Sequence, residues 1–289
     1  MKTVKELLEI LRLEKIEENI YRGQNYKSPR KRVFGGQVLA QSLQAAYQTI
    51  PDDRHLHSMH AYFLRAGDIE FPIVYDVDCI RDGGSFNTRR VVAIQKGRAI
   101  YNMSASFNAI KGDSLEHQMN MPDVPKPVKL KSAEDILFDL KHTNPNLFKK
   151  LYVPKPVEFR PVENYHPEEN VDHPPVRHIW FKTRQKLPDD ERLHQIVLAY
   201  ISDYYLMTTA NLPNRSAMKP GKYFFASLDH AMWFHRDFRA DEWLLYQLDS
   251  PSSSNSRGLG RGNIFTEDGV LVASTIQEGL MAPLRPKVK

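Results

Sequence analysis

Apolar positions in this chain change period in a set order. Near the N-terminus Val4, Leu7, Leu8 and Leu11 recur at helical spacing among Lys5, Glu6, Glu9 and Arg12, which predicts a short amphipathic helix. Gly35-Gly36 then opens a run from Gln37 to Ile50 that contains good helix formers and stops before Pro51, so a second helix is expected there. Beyond it the period falls to two. Strands are expected at Leu56 to Arg65, Ile73 to Arg81, Phe86 to Lys96 and Ala99 to Asn108, separated by Ala66-Gly67-Asp68, Asp82-Gly83-Gly84 and Lys96-Gly97. The order then recurs: Asp190 to Leu206 reads as a helix, and Tyr223 to His235, Trp243 to Asp249, Gly258 to Thr266 and Val270 to Gln277 read as strands.

The recurrence is also written in the residues. His60-Ala61 is echoed by His230-Ala231, and Tyr75, Asp78, Ser85 and Arg90 return in order as Tyr246, Asp249, Ser256 and Arg261. Val38-Leu39-Ala40 on the first long helix returns as Val197-Leu198-Ala199 on the second. So long a period implies a duplicated domain and not a solenoid. Each copy reads as a helix followed by a curved antiparallel sheet that wraps it, an α+β unit. More than half of the 19 prolines fall between Pro122 and Pro175, which marks the connection between copies. Within it Ser132-Ala133-Glu134-Asp135, followed by Ile136, Leu137, Phe138 and Leu140, predicts a capped short helix. The expected division is an N-terminal repeat over 1–111, a Pro-rich linker over 112–176 and a C-terminal repeat over 177–289.

Three polar residues interrupt apolar surfaces in the second copy. Asp203 lies on the helical stripe of Leu193, Ile196, Tyr200 and Met207, where a carboxylate is costly unless paired and where burial pushes its pKa upward. It either reaches solvent or a loop amide from the helix end, or it is functional. Ser227 falls in the apolar entry Tyr223-Phe224-Phe225-Ala226, where alternation groups it with Phe225 and Ala231. Gln277 follows Leu271, Ala273 and Thr275 on one strand face; taken singly, Ser227 reads as a serine satisfying a backbone carbonyl or as a functional hydroxyl, and Gln277 as a strand-end cap or a functional amide. The first copy has Gln44, His57 and Ala105 at the matching places. A carboxylate, a hydroxyl and an amide found only in one copy can hold and polarise a water.

Composition and charge exclude more than they identify. No apolar run approaches the roughly 20 residues that span a bilayer, so no membrane role is expected. A net charge of +5 permits anionic partners, and the densest basic run is Lys27, Arg30, Lys31 and Arg32, either a solvated loop or a phosphate contact. Signatures of nucleic-acid binding are absent. His55, His57 and His60 do not share one strand face and lack a metal-ligand motif, so no metal and no cofactor is expected. There is no Gly-x-Ser-x-Gly elbow, and Arg257-Gly258-Leu259-Gly260-Arg261-Gly262 leads into a strand where a phosphate loop would lead into a helix. The single cysteine, Cys79, fits a reducing compartment, and the ending Arg285 to Lys289 lacks the Ser-Lys-Leu peroxisomal signal, so a cytoplasmic location is expected.

Several motifs carry a more specific likeness. Leu13-Glu14-Lys15-Ile16-Glu17-Glu18, Tyr21-Arg22-Gly23-Gln24, Val33-Phe34-Gly35-Gly36-Gln37, Tyr62-Phe63-Leu64-Arg65, His230-Ala231-Met232-Trp233-Phe234-His235, Asp268 to Thr275 and Gln277-Glu278-Gly279 together resemble the acyl-CoA thioesterase II family over nearly the whole chain. The resemblance implies a double hotdog fold and hydrolysis of acyl-CoA to fatty acid and CoA. It implies Asp203, Ser227 and Gln277 as the set that activates water. Bacterial members often carry Thr where this chain has Ser227, which supplies the same donor and acceptor. Gly35, Gly36 and His57 are candidate oxyanion or substrate contacts, and Arg89 and Arg90 candidate CoA contacts. A homodimer or homotetramer is the implied assembly. A noncatalytic acyl-CoA binding module and a hotdog enoyl-CoA hydratase are the alternatives, the latter lacking its Asp/His signature here.

Overall fold

The computed structural model describes residues 1–27, 31–109, 112, 115–163, 165–218 and 222–284; Arg30 of the basic run and the 285–289 ending lie outside them. In chain order the elements are α1 (Val4–Leu11), β1 (Glu14–Glu17), β2 (Ile20–Gly23), α2 (Gly35–Tyr47), β3 (His55–Phe63), β4 (Ile73–Asp82), β5 (Phe86–Gln95) and β6 (Arg98–Asn108). They continue with α3 (Ala133–Thr143), α4 (Pro145–Leu151), β7 (Val157–Pro161), β8 (Val176–Thr183), α5 (Glu191–Ser202) and α6 (Leu206–Ala210). The last are β9 (Tyr223–Ser227), β10 (Asp229–Phe234), β11 (Leu244–Ser254), β12 (Arg257–Thr266) and β13 (Leu271–Pro283).

Among the described residues the strands form one antiparallel sheet ordered β1-β2-β4-β5-β6-β3-β10-β13-β12-β11-β8-β7, with β9 also paired to β13. Its two halves join at β3 and β10, the segments that repeat in sequence. There Met59 faces Met232, His60 faces Ala231 and Ala61 faces His230, a register symmetric about the seam. The central helices α2 and α5 are almost wholly buried and pack on each other, α2 also covering β4, β5 and β6. Each half is thus a helix wrapped by antiparallel strands, and the molecule is a double hotdog. No helix of the described residues is long and apolar enough to cross a membrane.

Short strands β1, β2, β7 and β8 extend the sheet at both ends beyond the strands read from sequence. β7 lies within the Pro-rich stretch, and α3 lies there too, capped by reciprocal bonds between Ser132 and Asp135. The same stretch covers the outer sheet face: Met121, Val124 and Leu130 pack on Trp180, Leu245 and Phe265, and Trp180 Nε1 donates to the Pro125 carbonyl at 2.9 Å.

Two departures from the expected periods matter for chemistry. The helix expected through Leu206 ends at Ser202, because Tyr205 adopts φ 73° and turns the chain into α6. A left-handed aromatic residue costs about 1–2 kcal/mol, so the break is imposed by surrounding structure and not by local preference. The strand expected over Tyr223 to His235 breaks at Leu228, whose amide donates to Glu278 O and whose carbonyl accepts from Phe63 N. Beyond the break the buried positions are His230, Met232 and Phe234, so Ser227 does not share a face with Ala231.

α2 starts against the end of α5. A Cβ added at Gly36 would overlap the Tyr200 carbonyl oxygen, and one at Gly35 would lie 2.7 Å from Asp203 Oδ2. On an open helix Gly→Ala stabilises by about 0.5–1 kcal/mol. Here we predict that Gly36→Ala instead lowers stability by about 1–3 kcal/mol, since the new methyl meets the Tyr200 carbonyl and the Phe34 ring and the helices must part. Chemical denaturation checks it; a raised midpoint would show that the close approach is not tight.

Candidate active site

Asp203 stands at the C-terminal cap of α5, three residues beyond Tyr200 and directly opposite the start of α2. Its Oδ2 accepts the Gly36 amide at 2.9 Å. Its Oδ1 accepts Gln277 Nε2 at 2.9 Å and faces the Ser227 hydroxyl at 3.4 Å. Ser227 ends β9 opposite Gly279, and Gln277 lies two residues earlier on the same buried face of β13, so both side chains converge on one carboxylate. Gln277 is 1% exposed, whereas Ser227 and Asp203 each keep part of their surface open.

Burial pushes the Asp203 pKa up to about 6, against hydrogen bonds from Gln277, Gly36 and Ser227 that favour the ionised form. Desolvation therefore outweighs three donors. A carboxyl poised there is a base at neutral pH while remaining more basic than an exposed aspartate.

Supporting bonds hold the end of α5. The Ser202 carbonyl accepts the Tyr246 hydroxyl at 3.1 Å, and that hydroxyl meets Thr275 Oγ1 at 2.7 Å. The Ser202 hydroxyl, with one hydrogen to give, lies 2.9 Å from Ala199 O and 2.9 Å from Nε2 of the fully buried His230. Phe34, next to Gly35, packs on Tyr200 and Tyr204 with ring centroids 5.2 and 4.7 Å apart, which makes an apolar flank for the carboxylate.

The structure thus brings together Asp203, Ser227, Gln277, Gly35 and Gly36, but not His57, Arg89 or Arg90. His57 lies on β3 six residues before Phe63, whose ring is next to Gly35, a separation of roughly 20 Å along an extended strand. It is paired with Ser106 at 2.8 Å and rests edge-on against Phe86. Arg89 is 2% exposed, and its guanidinium serves Thr49, Arg81 O, Thr88 O and Asp82. Arg90 is exposed and paired to Asp78 at 2.8 Å. From the basic run, Arg32 holds its guanidinium 5.0 Å from the ring centroid of Phe224 on β9. A surface concavity lined by Lys15, Ile16, Glu17, Glu18, Asn19, Tyr21 and Gln48 shares no residue with the Asp203 cluster.

Residue reading missed the Gly36 amide as a partner of Asp203, and it took His230 as a shared scaffold mark. The two repeat histidines in fact face opposite ways: His60 is exposed and meets the Trp233 ring, while His230 is 0% exposed. Gly35-Gly36 was the available signal for the first, since paired glycines at a helix start permit close backbone approach.

Two family models match: an acyl-CoA thioesterase N-terminal domain over residues 24–108 and an acyl-CoA thioesterase domain over residues 156–280. Acyl-coenzyme A thioesterase 8 of Mus musculus is 42% identical, covering 96% of this chain and 89% of its own. Acyl-CoA thioesterase 2 of Haemophilus influenzae is 39% identical over 95% of this chain and 96% of its own. The crystal structure of acyl-CoA thioesterase II TesB2 from Mycobacterium marinum superposes with TM-score 0.79 at 40% identity, covering 97% of this chain and 99% of that one. With two fifths of its residues shared across essentially its whole length and the same fold, the chain belongs to the acyl-CoA thioesterase family.

Proposed function

We propose that the chain hydrolyses acyl-CoA thioesters to fatty acid and CoA with a water activated by Asp203, Ser227 and Gln277. The observation that carries this is one partly open carboxylate, raised to about 6, onto which a hydroxyl and an amide converge from separate strands. Asp203 takes the proton of the attacking water as general base. Ser227 and Gln277 orient that water with their remaining lone pairs and hydrogens. The tetrahedral oxyanion needs preorganised donors. Gly36 gives its amide to Asp203, which leaves the Gly35 amide at the same positive helix start as the proposed oxyanion donor. The thiolate of CoA then departs. Lys31 and Arg32, just ahead of α2 and exposed, are the proposed contacts for its phosphates. A homo-oligomer in a reducing cytoplasm is the setting this reading expects.

In a thiol-release assay across acyl-CoAs of graded length, Asp203→Asn is expected to lose at least about a thousandfold in kcat while the folded spectrum remains. The wild-type rate should rise through about pH 6 and level above it, because the base acts only when deprotonated. Near-normal turnover in the variant would remove Asp203 from the mechanism, and binding of acyl-CoA without thiol release would favour the noncatalytic module.

The same raised pKa has a stability consequence. The folded state prefers protonated Asp203, from an ordinary value of 3.8 up to about 6, so its contribution is fully present below pH 4 and is lost as pH rises through 6. The stability of wild type relative to Asp203→Asn should therefore fall by about 2 kcal/mol between pH 4 and pH 7. Parallel denaturation curves at the two pH values test it, and a constant difference would contradict the shift.

A further inference from the structure

An amide side chain has two opposite ends. Turned one way, Gln277 offers Asp203 a donor; turned the other, it offers an oxygen that repels the carboxylate. Something behind the amide must choose between them. β10 runs beside β13 with Ala231 opposite Ile276, so one step along the ladder His230 stands opposite Gln277 on the same buried face. His230 Nδ1 and Gln277 Oε1 are both buried without a hydrogen-bond partner in the static geometry, which neighbouring cross-strand side chains resolve by bonding to each other. Gln277 also raises the proton affinity of the imidazole, as a carbonyl oxygen near a ring nitrogen does, although burial dominates and pushes the His230 pKa down to about 3. The ring is therefore neutral at working pH and carries one hydrogen, and its tautomer decides which end of Gln277 it accepts.

We propose that His230 is a positioning residue for the reaction: with the single Ser202 hydroxyl hydrogen turned to Nε2 and not to Ala199 O, its Nδ1–H donates to Gln277 Oε1 and locks Gln277 Nε2 onto Asp203 Oδ1. The line runs from the last turn of α5 through β10 and β13 and back to the cap of α5, so the helix that carries Asp203 also orients its donor. The first copy has no such line, since His60 faces outward and Ala105 has no amide. This rests on the assignment of Asp203 and Gln277 above.

The test compares His230→Phe, which fills the space without a donor, with His230→Asn, whose amide nitrogen falls near the place of Nδ1, each alone and with Gln277→Ala. Thiol release, pH profile and melting temperature are read together, and Asp203→Asn is assayed alongside. His230→Phe is expected to lose about tenfold to hundredfold in kcat, with KM changed by less than about threefold. Its acid limb should move above 6, because a loosened Gln277 no longer lowers the Asp203 pKa. His230→Asn should recover most of the rate, and with Gln277→Ala present His230→Phe should cost nothing further. Equal losses in both backgrounds, or a folded His230→Asn as poor as His230→Phe, would overturn the role. Where His230→Phe does not fold, nitrogen-15 spectra of the unaltered protein decide: a protonated Nδ1 is expected, and a protonated Nε2 overturns it. Near-normal turnover in Asp203→Asn takes down the site assignment itself, whereas loss there with an indifferent His230→Phe takes down only His230.

Discussion

The fold and the site both depend on one meeting of helix ends. α2 begins with no side-chain cap of its own, Phe34 standing where Ser, Thr, Asp or Asn would ordinarily serve. Its cap comes from the other half of the molecule: Asp203, at the end of α5, accepts the Gly36 amide. The contact needs Gly35 and Gly36, since any side chain there would meet Asp203 or the Tyr200 carbonyl. A helix N-terminus favours a nearby negative charge by about 0.3–1 kcal/mol, and a helix C-terminus disfavours it by a like amount. Asp203 sits where the two effects oppose each other, so neither dipole fixes its ionisation and desolvation dominates.

That balance is what the proposed role of the carboxylate as a base requires. A fourth donor in the site would hold Asp203 as an inert anion, and a fully apolar setting would keep it protonated at neutral pH. Three hydrogen bonds against desolvation leave it between these limits. The cost is carried by structure away from the carboxylate: Tyr205 is held left-handed where α5 ends, and Tyr246 and Thr275 brace the last carbonyl of the helix. The helix interior is apolar enough to support this, with Leu198, Ala199 and Ile201 fully buried.

Most of the scaffold was legible in the sequence because it rests on local period. The strands β3 to β6 and the helix α2 show clean alternation or helical spacing bounded by glycine and proline, and their ends fall within a few residues of the expected ones. The elements that escaped are short or lack period: β1 has four exposed residues, and β7 is five residues inside a Pro-rich stretch. From the residues themselves the candidate site was legible through the duplication, which set Asp203, Ser227 and Gln277 apart from other buried polar residues, and the structure brings the three side chains together. Its geometry was not, because it depends on two breaks, at Tyr205 and Leu228, that no local propensity announces. Continuous alternation through Leu228 would have turned Ser227 to the wrong side. His230 was hidden for a related reason, as a matched dipeptide says nothing of which face each copy presents.

The asymmetry between the copies follows from capping. The seam is symmetric, β3 and β10 pairing about His60-Ala61 and His230-Ala231, and α2 and α5 run antiparallel, so the end of α2 lies beside the start of α5. Arg192 near that start reaches the Pro51 carbonyl, and the Tyr47 hydroxyl meets Gln195. A carboxylate at Gln44 would be the symmetric counterpart of Asp203. Yet α5 already carries its own cap, Asp190, which accepts the amides of Arg192 and Leu193. A second anion at that end would find its backbone donors taken and would be left with desolvation alone. Only where a helix start lacks its own cap does a carboxylate from the opposing helix gain a partner, and in this chain that place is the start of α2.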